Sequence, residues 1–145
     1  MPELLPFAVS LKGTENAVRD GLAQAMACLA PLHLNTDDAG TVELVLAEAL
    51  NNVVEHALAS TPELTAIEIR GSHGADGLHI TVIDCGAPMP DGTAPLAKTP
   101  NLDVETHDMP EGGFGWYLIH TLATDVKYSR VGAANHLSLQ LPVGV

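Results

Sequence analysis

A chain of 145 residues, 46% of them hydrophobic, has the length and apolar content for one domain with one sizeable core, which argues against disorder. Eighteen acids against six bases give a net charge of −12, which disfavours a nucleic-acid surface or an anionic-membrane surface. No run of about 18 apolar residues and no charged-then-apolar leader occurs, and Cys28 and Cys85 form no metal or redox spacing, so the expectation is a cytoplasmic protein with free thiols.

The first predicted element is a strand over 3–11, with Pro6 pointing to a sheet edge or a bulge. Thr14 is a candidate N-cap for a helix that runs to about Leu29, where Pro31 helps to end it. A second helix is predicted over roughly 37–59, opened by "NTDDAG". Its apolar residues fall at 42, 45, 46, 49, 50, 53, 54 and 57, a sustained i, i+3, i+4, i+7 pattern. Strands follow over 64–72 and 78–84, joined by a hairpin at "HGADG".

Residues 85–111 then carry five prolines and little periodicity, as a functional or mobile loop would. A helix at 115–123 and two strands at 125–131 and 135–141 close the chain. The order predicts a two-layer α/β (α+β) sandwich spanning 1–145 as a single domain. Its sheet is mixed and largely antiparallel, with three helices on one face.

Three stretches carry polar groups that local structure does not require. In "LAEALNNVVEH", Glu48, Asn52 and His56 recur every fourth residue along the edge of the buried face, with Glu55 beside them. Two successive asparagines work against a helix, and residues that break local rules without local gain are candidates for function. A Glu offers a base, and an Asn carbonyl offers a neutral ligand for a hard cation such as Mg²⁺. In "VIDCGAP", Asp84 ends a strand and Gly86 follows. That is common turn chemistry, or else an acceptor for an exocyclic amine with close backbone approach. In "EGGFGWYLIH", Gly112, Gly113 and Gly115 open a helix whose N–H groups can meet an anion.

Taken in order, the three stretches resemble the nucleotide-binding Bergerat fold shared by gyrase, chaperone, histidine-kinase and mismatch-repair ATPases, the GHKL superfamily. The form "EALNNVVEHA…DCGAPMP…EGGFGWYLI" is similar to its anti-sigma-factor serine/threonine kinase branch. The resemblance implies ATP and Mg²⁺ as cofactors, Glu48 as general base, Asn52 as the Mg²⁺ ligand and His56 as the third position of the same motif. It further implies that Asp84 reads adenine with Gly86 as its companion, and that 87–111 form an ATP lid. It implies too that Gly113 and Gly115 pass under the phosphates. Gly112, Phe114, Trp116 and Ser138 are carried into the nucleotide site with them, Ser138 where the family often has threonine. Implied partners are a sigma factor, an antagonist protein that is phosphorylated, and a second copy of the chain. Lys98 is the only Lys or Arg between 85 and 126, where family lids often carry an arginine. That leaves a non-catalytic, ATP-gated binding module as the alternative to a kinase.

Overall fold

The computed structural model describes residues 6–57, 66–89 and 113–145. The expected lid, apart from its first residues, and Gly112 lie outside them.

Strand β1 (Phe7–Lys12) leads into α1 (Glu15–Cys28), capped by the Thr14 hydroxyl, which accepts from the Ala17 N–H at 3.2 Å. A short 3-10 turn (Ala30–Leu32) reverses the chain into α2 (Thr36–Asn52). Here Asn35 is the cap, its Oδ1 accepting from Asp38 N–H at 2.7 Å, and Asp37 and Asp38 place negative charge at the positive end of the helix dipole. From Val53 the helix widens into a π-helical turn (Val53–Ala57). The four-residue ladder therefore stops at Asn52, and His56 is not on the regular α-helical continuation predicted to 59.

The hairpin strands β2 (Ala66–Gly74) and β3 (Gly77–Asp84) follow, then α3 (Gly113–Leu122), β4 (Asp125–Val131) and β5 (Ala134–Leu141). Gly77 sits at φ +116°, and a Cβ there would lie 2.2 Å from the Leu141 carbonyl oxygen, so the strand can enter beside β5 only with glycine. In the hairpin turn, a hydrogen bond from His79 holds the Asp76 carboxyl below its ordinary range.

The sheet order is β1-β2-β3-β5-β4, with every neighbouring pair antiparallel. β1 is an edge strand, one of the two placements Pro6 suggested, and among the described residues every pairing of the largely antiparallel sheet is antiparallel. Alternation puts Ile67, Ile69, Leu78, Ile80, Val82, Leu137, Leu139 and Leu141 on one face, all buried. Against them lie Val42, Val45, Leu46, Ala49 and Leu50 of α2, in the same core as Ile119 of α3 and Val18 and Ala25 of α1. The result is an α+β sandwich with three helices on one face of an open sheet. Among the described residues, no helix is long and apolar enough to cross a membrane.

Candidate functional site

Two polar groups interrupt the inward face of the sheet at one end. Asp84 shares the parity of Leu78, Ile80 and Val82, and Asn135 that of Leu137, Leu139 and Leu141. The two residues are directly opposed across β3 and β5, and both are buried. Asp84 Oδ1 accepts from the Gly86 N–H at 2.8 Å, which folds the strand end into a tight turn, and from Asn135 Nδ2 at 2.9 Å. The Asn135 amide also donates to the Ala87 carbonyl at 2.9 Å. Its oxygen accepts from Arg130 Nη1 at 2.9 Å and from the Tyr128 hydroxyl. Arg130 Nη1 further donates to the Gly86 carbonyl at 2.7 Å, and the Met89 N–H donates to the Tyr128 oxygen at 3.0 Å. No described residue donates to Asp84 Oδ2.

The second half of the site is the seam between α2 and α3. Glu48 and Asn52, one turn apart on α2, both face Gly115 in the first turn of α3. A Cβ on Gly115 would stand 2.6 Å from Glu48 Oε2 and 3.9 Å from Asn52 Nδ2. Glycine is thus what lets the N-terminal turn of α3 come this close to a carboxylate. Asn52 is buried, and its Nδ2 has no hydrogen-bond partner. Glu48 is half-buried and likewise forms no hydrogen bond with any described residue. An unmade hydrogen bond on a buried amide costs about 1–3 kcal/mol, so this seam keeps polar capacity that folding does not use. Asn51 is exposed, which separates it from Asn52.

Two further residues expected in the site make other contacts in the structure. Trp116 is buried in the hydrophobic core, with its ring 6.1 Å from that of His120, because helical spacing aligns it with Ile119 on the sheet side of α3. Ser138 faces the opposite side of the sheet, where its hydroxyl pairs with Thr81 at 3.2 Å. Asn135, three residues earlier and of inward parity, is the β5 residue that meets Asp84. Of His56, Gly113 and Phe114 only the backbone is described, the latter two in the first turn of α3.

Asn135, Arg130 and Tyr128 were not singled out from the sequence. The signal for Asn135 was present: it is the one polar residue at an inward position of β5, just as Asp84 is on β3. Arg130 and Tyr128 gave none, because on an edge strand their alternation reads as solvent exposure.

A helical wall carrying Glu48 and Asn52, a glycine-opened helix against it, and the strand-end Asp84 thus stand together on a helix-covered antiparallel sheet. A family model, the histidine kinase-like ATPase domain, matches residues 11–141, and the chain belongs to that family. Among solved structures, the RsbU and RsbW domains of Rv1364c from Mycobacterium tuberculosis are similar over 96% of this chain, with a TM-score of 0.66 and 19% identity. The histidine kinase domain of the Erythrobacter litoralis EL346 blue-light activated histidine kinase is similar over 87%, with a TM-score of 0.50 and 18% identity. The chain spans 32% of the first of these and 65% of the second. At these identities the likeness concerns the fold. No curated protein matches the sequence.

Proposed function

We propose that the chain is an ATP-binding serine/threonine protein kinase of the anti-sigma type, a single cytoplasmic domain that phosphorylates an antagonist protein. The carrying observation is the Glu48–Asn52 pair held against Gly115, with Asn52 Nδ2 buried and unsatisfied. The unsatisfied Asn52 Nδ2 fits an acceptor such as a phosphate oxygen, and the oxygen of the same amide is the neutral ligand offered to a magnesium ion on that triphosphate. The bound ion would neutralise phosphate charge as the phosphoryl group moves. Glu48 is then placed to take the proton from a serine or threonine hydroxyl of the docked partner. The N–H groups opening α3 face the phosphates, and Asp84 takes the exocyclic amine of adenine through Oδ2.

The anti-sigma assignment draws support from the motif resemblance and from the fold likeness to a chain carrying an RsbW domain. A second copy of this chain, a sigma factor and a serine-bearing antagonist are the partners that follow from it. The scarcity of bases between 85 and 126 favours a second reading, an ATP-gated module that sequesters its partner without phosphorylating it.

Calorimetric titration with ATP and ADP, each with and without Mg²⁺, tests the site. Magnesium-dependent ATP binding is expected, and folded protein that binds neither nucleotide would overturn the proposal. Gly115→Ala should leave the melting temperature nearly unchanged, because the crowded atom is the mobile end of Glu48 and alanine favours the helix. The same variant should slow phosphoryl transfer about tenfold or more, since misplacing the Glu48 carboxylate by an ångström carries penalties of that order, while ATP affinity stays near that of wild type.

A further inference from the structure

The hydrogen bonds around Asn135 have a direction. An arginine guanidinium only donates, so the amide atom 2.9 Å from Arg130 Nη1 must be the oxygen. The NH₂ group is thereby turned to Asp84 Oδ1 and the Ala87 carbonyl, both of which accept. Reversing the amide would set N–H groups against Arg130 and an oxygen against a carboxylate and a carbonyl. Every hydrogen and the oxygen of this amide are engaged, and the side chain is buried. Asp84 Oδ1 is filled in turn, by Asn135 Nδ2 and the Gly86 N–H, while Oδ2 has no donor among the described residues.

We infer that Asn135, locked by Arg130 and Tyr128, is a specificity-determining residue. It commits Asp84 Oδ1 to the protein and leaves Oδ2 to accept from a purine bearing a 6-amino group, against 6-oxo purines. The inference rests on the proposed nucleotide site, with Asp84 as its base reader. An adenine amine meets Oδ2 as donor to acceptor. The 6-oxo group of hypoxanthine sets acceptor against acceptor, a mismatch that polar sites reject strongly. Without the Asn135 amide, Oδ1 would be open to a water, which as both donor and acceptor could bridge to an oxo group. Arg130 supplies the polarity and is a positioning residue.

The test is calorimetric titration of the full chain with Mg²⁺–ATP and Mg²⁺–ITP, for wild type, Asn135→Ala, Arg130→Met and Arg130→Lys. Wild type is expected to prefer ATP by at least about tenfold, on the donor–acceptor argument. Asn135→Ala should collapse that preference to within about threefold, and Arg130→Met should narrow it. Arg130→Lys, which keeps a donor, should restore most of it. If Asn135→Ala does not fold, as judged by circular dichroism, the Arg130 pair decides the matter alone. Variants that weaken both nucleotides by a common factor, with the ratio unmoved, would reduce Asn135 and Arg130 to structural supports and overturn the inference while the nucleotide site stands. Wild-type protein that binds neither nucleotide would overturn both.

Discussion

Asn52→Leu is expected to make the protein more stable and unable to bind ATP through magnesium. The two side chains are close in shape, and Asn52 is buried with its Nδ2 lacking any partner. Replacing an unsatisfied buried amide by an apolar isostere removes a desolvation penalty of about 1–3 kcal/mol. Leucine also forms helix better than asparagine. The gain corresponds to a rise of about 3–10 °C in melting temperature for a domain of this size. The same change deletes the neutral oxygen proposed to hold Mg²⁺. Even outer-sphere changes at metal sites cost 10- to 100-fold in affinity, so losing the ligand should cost about 100-fold or more. Thermal melts and calorimetry on one preparation give both numbers. Opposite signs are the mark of a group kept for a ligand against the interest of the fold. A destabilised variant with unchanged magnesium-dependent binding would return Asn52 to an ordinary structural role.

The fold was legible because its periodic signals were strong and local. The apolar ladder from Val42 to Leu50 could only be one face of a helix, and the alternation of 78–84 and 135–141 could only be half-buried strands. Helix two departed from its pattern at Val53, since a π-helical turn is a change of winding and leaves the order of apolar residues intact. His56 followed the four-residue ladder on paper for that reason. The site divided in the same way. Glu48, Asn52, Asp84 and Gly115 stand on elements whose spacing places them, and the structure gathers Glu48, Asn52 and Gly115 at one seam.

Residues whose role depends on a cross-strand partner were harder to read. Ser138 and Asn135 lie three apart on β5, so they face opposite sides, and only the parity set by Leu137, Leu139 and Leu141 distinguishes them. That Asn135 opposes Asp84 depends on the register of β3 with β5, which no single segment encodes. Trp116 illustrates the reverse case. Its neighbour Gly115 faces α2, but the next residue along a helix turns about 100° away, here into the core.

Glu48→Ala should separate binding from chemistry. Glu48 forms no hydrogen bond with a described residue, so its removal leaves no buried partner stranded and the fold should hold. It also takes no part in the Asp84 turn or in the Asn52 amide, so ATP affinity should stay within about threefold of wild type, as for a group outside both contacts. Phosphoryl transfer to a serine-bearing antagonist should fall by about 10²- to 10⁴-fold, the usual worth of a general base. Glu48→Gln should fall by a similar factor. It keeps the shape beside Gly115 but has no carboxylate to take the proton, which distinguishes loss of a base from loss of packing. Transfer is read by radiolabel from γ-labelled ATP, beside calorimetric affinities for the same samples. If Glu48→Ala transfers phosphate as well as wild type, another group is the base. If wild type binds ATP and holds its partner but transfers nothing, the sparse basic charge of the 85–126 region has its explanation. The seam of Glu48, Asn52 and Gly115 would then sense a nucleotide, and binding alone would be the regulated event.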